Sequence, residues 1–173
     1  MDRFNHYRNS YENELKKKDD LDKSINIPIL IVTLIFGAVS YFTKSLNYDC
    51  LKPIDYVILG LIGLTFIILC VGIFRIIISY NNGIKGYEYE ITGSAKDYKK
   101  YREELSEFYD EKEKKVESEF EESLITNFIE CIDSNTDLNI FRTFQLFLAK
   151  KNIIISLIIT FITFIVFLLK QII

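Results

Sequence analysis

Three stretches of this chain carry no formal charge: Ile27 to Thr43, Tyr56 to Phe74 and Ile153 to Leu169, of 17, 19 and 17 residues. Each is closed by a cation, Lys44, Arg75 and Lys170. A helix rises about 1.5 Å per residue, so these runs reach about 26–29 Å, against a bilayer hydrocarbon core of about 30 Å. Lysines at the ends can lift their ammonium groups to the headgroup level and lengthen the usable span. The runs are rich in Ile, Val and Phe, which favour strands in water. In lipid only helices and closed barrels satisfy the backbone, and runs without period-two alternation do not make a barrel. The expected fold class is therefore an all-α membrane protein with three transmembrane helices.

The remainder of the chain is highly charged. Overall, 49% of residues are hydrophobic and 26% charged, and the two kinds are segregated rather than interspersed. That segregation excludes an ordinary soluble enzyme fold and argues against a disordered chain or a disulfide scaffold. The residues before the first run hold six acidic and six basic side chains, with no small-residue cleavage site after it, so that run is expected to be a retained anchor. The expected organisation is an N-terminal arm (1–26), a two-helix transmembrane hairpin (27–80), a cytoplasmic helical region (81–151) and a third transmembrane helix (152–173).

Basic residues set the expected orientation. Six precede the first run, two lie between the first and second, twelve lie from Arg75 to Lys151, and one follows the third run. An N-terminus and middle region in the cytoplasm keep 18 of the 21 inside. The expected location is the inner (plasma) membrane, with the C-terminus outside. Cys50, Cys70 and Cys131 then fall in an outer loop, a span and the cytoplasmic region, so neither an internal disulfide nor a metal site is expected.

In the arm, Tyr7, Tyr11 and Leu15 recur four apart, as on one helix face. The second span is expected to continue as helix past Arg75 until Asn81–Asn82–Gly83, with Tyr87–Ile91 (YEYEI) extended or looped. A long helix is expected from Ser94 as N-cap, with Asp97 in its first turn and Tyr98, Tyr101, Leu105 and Phe108 on its packing face. A break is expected between Lys112 and Ser123, and the helix after it is expected to run unbroken into the third span. The whole cytoplasmic region is therefore expected to form a long helical hairpin or stalk.

The region from Asn81 to Lys151 has 16 acidic and 11 basic residues, net −5, which argues against bulk nucleic-acid binding. One local exception is YKKYR, where Lys99, Lys100 and Arg102 alternate with rings that could stack on the base of a small nucleotide or oligonucleotide. The alternative is a solvated helix face with buried tyrosines. Farther on, Asn135, Asn139 and Arg142 interrupt the apolar stripe of Phe128, Ile132 and Leu146. Two readings stand side by side: a polar network that fixes helix register, or a ligand or gating site in which Arg142 offers a fork to phosphate.

In the spans, Thr33, Gly37, Ser40 and Lys44 form one stripe, and Ser156, Thr160, Thr163, Phe167 and Lys170 another. Small and hydroxyl residues allow close helix packing; in several copies around an axis the same stripes would line a narrow pore. The pore-lining candidates are Ser156, Thr160, Thr163, Phe167, Thr33 and Ser40. No phosphate loop, nucleophile elbow or HExxH helix is present, and the one histidine, His6, sits in the arm. No enzyme activity and no cofactor are expected.

The layout resembles the small multi-span effectors of bacterial nucleotide-signalling anti-phage systems, including CBASS-type membrane effectors, the SLATT group and the Hailong effector. The resemblance rests on the charged arm leading into SINIPILIVTLIF (Ser24 to Phe36), the tight pair of spans, and the Asn–x3–Asn–x2–Arg of Asn135, Asn139 and Arg142. A third span departs from the two-span members. The resemblance implies a homo-oligomeric channel, here expected as a tetramer, gated by the nucleotide product of a nucleotidyltransferase-like partner enzyme. Opening would depolarise the infected cell. The alternative is a non-conducting membrane scaffold or sensor subunit that binds a cytoplasmic protein.

Overall fold

The computed structural model describes residues 3–80, 89–110 and 112–172. It contains five helices, α1 (Arg3–Ser24), α2 (Asn26–Lys44), α3 (Pro53–Tyr80), α4 (Ala95–Phe108) and α5 (Glu113–Ile172), and no strand among the described residues. Three helical stretches, Arg3–Lys44, Pro53–Tyr80 and Glu113–Ile172, are long and apolar enough to cross a membrane. Among the described residues the chain is all-helical, and three such helices are the pattern of a multi-pass membrane protein. It divides into two compact units, each built from separated parts of the sequence: Met1–Asp20 with Lys85–Ile140, and Leu21–Ile84 with Phe141–Ile173.

The second of these is the membrane unit, built from α2, α3 and the later part of α5. Its helices bury faces at alternating steps of three and four. On α3 these are Asp55, Ile58, Thr65, Leu69, Gly72, Ile76 and Ser79; on α5 they run from Arg142 through Leu146, Ala149 and Ile153 to Phe167. On α2, Pro28, Ile35 and Phe42 fall seven apart. Such a 3.5-residue period keeps one seam facing its neighbours and suits left-handed packing near +20°.

The apolar contacts form two clusters. One joins Ile25 and Ile35 to Leu69, Ile76, Ala149 and Ile153; the other joins Phe42 and Leu46 to Ile58 and Phe167. Thus α2 and α5 run in the same direction, with α3 opposed to both. At Gly72 α3 lies close against α5: a Cβ there would lie 3.3 Å from Asn152 Cβ and 3.3 Å from Ile153 Cγ1. Away from the seam the surface is apolar, with Ile27, Leu34, Ile67 and Phe161 all more than 60% exposed, as lipid-facing positions are.

In the other unit, Phe4, Tyr7, Tyr11 and Leu15 of α1 pack against Phe128, Cys131 and Ile132 of α5. The Phe4 and Tyr11 rings stand 5.8 and 5.5 Å from Phe128. The four-residue spacing expected for the arm is the face that packs. α4 begins as its sequence predicts: Ser94 caps it, and Ser94 with Asp97 forms a reciprocal capping box.

α4 ends at Phe108, a few residues before the expected break. Asp110 takes a left-handed conformation (φ 51°), which Asp tolerates better than most residues. Beyond it, α5 returns past α4, with Tyr98 and Tyr101 on Phe120 at 6.5 and 6.2 Å. Phe108, expected on the packing face, is instead 77% exposed, with its ring edge-to-face on Tyr109. From Glu113 the helix is unbroken to Ile172, as expected for its entry into the third span. The expected helix end at Asn81–Gly83 and the Tyr87–Glu88 part of YEYEI lie outside the described residues; Tyr89–Ile91 is non-helical.

Candidate functional site

The cationic side chains expected to meet a ligand lie on α4. Lys99 and Arg102, with Glu103, Ser106, Glu113 and Val116, line a cleft of about 450 Å³ between α4 and the start of α5. Lys99 pairs with Glu103 at 3.8 Å and Lys100 with Glu104 at 3.6 Å, one helical turn on. Arg102 reaches across to Glu117 of α5. More than half of each of these side chains is exposed, so each pair stabilises by about 0–1 kcal/mol and exchanges readily with other anions. The rings of Tyr98 and Tyr101, expected as possible stacking platforms, pack on Phe120 instead. Below them, Ser94 Oγ and its backbone N–H both donate to Asp97, which holds that carboxyl below its ordinary value.

Asn135 and Asn139 sit on the inner face of α5 and are buried. Asn135 treats the extended segment as a sheet would: its Oδ1 accepts from Glu90 N–H at 2.9 Å and its Nδ2 donates to Glu90 C=O at 2.9 Å. Glu90 thus finds its backbone partner in a carboxamide. Asn139 Nδ2 donates to the Glu14 carbonyl at 2.9 Å and to its Oε2 at 3.0 Å, while Asn139 Oδ1 accepts from Tyr89 OH at 2.6 Å. Lys18 Nζ lies 5.1 Å over the Tyr89 ring. Both asparagines therefore act on the protein itself, joining α1, α5 and Tyr89–Glu90 within their unit.

Arg142, in the membrane unit, is 3% exposed. Its Nε donates to Ser79 C=O at 2.7 Å, Ser79 Oγ donates to Arg142 C=O at 2.9 Å, and its Nη2 pairs with Asp22. The guanidinium fork read as a phosphate receptor faces a carboxylate of its own chain. Nearby Arg75 Nη1 donates to Gln145 Oε1 at 2.9 Å.

The two hydroxyl stripes look alike in sequence and lie in opposite places. Ser156, Thr160, Thr163 and Phe167 are buried within the chain. Thr160 Oγ1 donates to Ser156 C=O and Thr163 Oγ1 to Ile159 C=O, both at 2.8 Å, and Phe167 packs on Phe42 at 5.4 Å. They fill the seam between the helices of the chain. Thr33, Gly37, Ser40 and Lys44 are exposed. At about 100° per residue, they lie opposite Ile35 and Phe42, the buried side of α2.

No family model, curated protein or solved structure matches this chain. The residues must therefore speak for themselves. Among the described residues, no group of three His, Cys, Asp or Glu could hold a metal ion, and the three cysteines are free.

Sequence reasoning missed several polar partners. Glu14 follows Tyr11 by three and sits on the same stripe, which could have flagged it. Asp22, the partner of Arg142, carries no such signal. Asp55 starts the three-and-four pattern of α3 and Lys170 ends that of α5; the two meet at 2.6 Å, with Asp55 2% and Lys170 19% exposed.

Proposed function

We propose that this chain is an oligomeric membrane effector, a channel whose state a nucleotide-type signal sets from the cytoplasmic side. The observation that carries the reading is the exposed α2 stripe of Thr33, Gly37, Ser40 and Lys44. A lipid-facing helix gains nothing from hydroxyls and a glycine on its outer face, whereas a second protein helix packs closely on them and hydrogen-bonds to them. Copies arranged with α2 inward, four in our reading, would ring an axis with Thr33 and Ser40 hydroxyls and a cation at one end.

On the signal side, α4 and the first turns of α5 form a cytoplasmic helical hairpin. A phosphate entering the Lys99–Arg102 cleft would compete with Glu103 and Glu117 for those cations, and a weak exposed pair yields to a doubly charged anion. Loosening α4 from α5 biases a two-state element whose α5 also supplies the third span. The proposed orientation keeps 18 of the 21 basic residues inside, with the C-terminus outside the inner membrane. The resemblance to nucleotide-signalling anti-phage effectors supplies the biological setting: a nucleotidyltransferase-like enzyme makes the signal, and opening depolarises the cell. Ion flux from liposomes holding purified protein, with and without cyclic dinucleotides, tests the reading.

A second reading has an observation of its own. Because Ser156, Thr160, Thr163 and Phe167 are spent inside the protomer, the membrane unit also suits a non-conducting scaffold whose cytoplasmic unit binds a protein. Liposomes that stay tight under every nucleotide would favour it.

A further inference from the structure

Besides its seam, the membrane unit carries a groove on its lipid-facing side. It holds about 270 Å³ and lies between the start of α2 and α5, walled by Ile27, Pro28, Ile31 and Ile153, with Ser24 and Lys150 as its polar residues. Ser24, the last residue of α1, precedes the apolar run of α2, and Lys150 precedes that of α5, so they mark one end of the groove. α2 and α5 run the same way from there, so the apolar walls extend from that end into the hydrocarbon.

Of the residues lining the groove, Lys150 carries the charge. Lys23 adjoins Ser24 and Lys151 adjoins Lys150. Among the described residues, no ion pair is recorded for Lys23, Lys150 or Lys151, while Asp22, the nearest carboxylate in the membrane unit's sequence, is taken up by Arg142. An apolar slot with a lysine at one end fits a molecule with a negative head and an aliphatic tail.

We propose that this groove seats an anionic phospholipid, with acyl chain against Ile27, Ile31 and Ile153 and headgroup phosphate at Lys150. Basic pockets between helices on the cytoplasmic side hold anionic headgroups in this way, and the surface field of such a leaflet adds to the attraction. The lipid would then be a structural ligand of the α2–α5 junction, independent of whether the protein conducts.

The test uses full-length protein purified in mild detergent and passed into nanodiscs of phosphatidylcholine with phosphatidylglycerol. Retained lipid is quantified by mass spectrometry, and thermal stability is measured alongside. Enrichment of phosphatidylglycerol over the bulk ratio is expected, falling about fivefold in Lys150→Gln. Ile31→Trp, which fills the slot, should lower retention with the lysines intact. Soluble glycerol phosphate at equal concentration should stabilise neither form. Bulk-ratio lipid in the wild type, equal protection by glycerol phosphate, or an Ile31→Trp change in oligomer size with lipid unchanged would each overturn the proposal. Protein that does not enter nanodiscs at all would overturn the membrane reading itself, a separate outcome.

Discussion

Ser79 and Arg142 exchange hydrogen bonds across the seam of α3 and α5. Arg142 Nε donates to Ser79 C=O at 2.7 Å, and Ser79 Oγ donates to Arg142 C=O at 2.9 Å. Asp22, 120 residues away in the chain, completes the site by pairing with the same guanidinium. Arg142 thereby ties three separated segments of the membrane unit together.

Arg142→Ala removes a buried cation and strands its partners. A buried pair broken from one side costs about 3–5 kcal/mol. Ser79→Ala removes one neutral hydrogen bond, about 1 kcal/mol. Thermal unfolding in detergent should rank the two variants in that order, with Arg142→Lys between them because one ammonium cannot serve both Ser79 and Asp22. Equal melting temperatures for Arg142→Ala and wild type would remove the clamp.

Glycines in α3 should separate by position. At Gly72 an added Cβ meets Asn152 and Ile153 at 3.3 Å, whereas Gly63 has open space. Gly72→Leu should destabilise the protomer by about 1–3 kcal/mol through overpacking, while Gly63→Ala should leave protomer stability within about 0.5 kcal/mol. Resistance to unfolding in a denaturing detergent series reads both. A Gly72→Leu protein as resistant as wild type would mean that α3 and α5 do not approach here.

The start of α4 should be acid-sensitive. Hydrogen bonds from Ser94 hold the Asp97 carboxyl below its ordinary value. A depressed carboxyl stabilises the folded form above its ordinary value, and that stabilisation is lost as pH falls through the folded one. Amide exchange at Ala95–Tyr98 should therefore accelerate, relative to its intrinsic rate, as the pH drops from about 5 to about 3. Asp97→Ala should exchange fast throughout and lose the pH dependence. A wild-type profile without pH dependence would contradict the capping box.

Much of this fold was legible because lipid removes choices. An uncharged run of 17 to 19 residues has to become a helix, and Ser94 with Asp97 announces a cap whatever surrounds it. Which face of each span turns inward was not legible. In water a helix betrays its buried side by being greasier there; in lipid both sides are apolar, so the Thr33–Ser40 and Thr160–Thr163 stripes look the same. One is exposed and the other buried. Long-range partners were equally hidden: nothing near Arg142 in sequence points to Asp22, and nothing near Asn135 points to Glu90. Asn135 and Asn139 bond to Glu90, Glu14 and Tyr89 in one unit, whereas Arg142 bonds to Ser79 and Asp22 in the other.

The central claim is that α2 faces a conducting axis. Planar-bilayer recording of purified protein, with cyclic dinucleotides added to the cytoplasmic side, tests it most directly. The account predicts nucleotide-dependent currents in the wild type. Ser40→Arg and Thr33→Arg should cut unitary conductance severalfold, and Thr160→Val, inside the seam, should leave it unchanged. Silent wild-type bilayers under every nucleotide, or currents indifferent to Ser40→Arg and Thr33→Arg but altered by Thr160→Val, would contradict it.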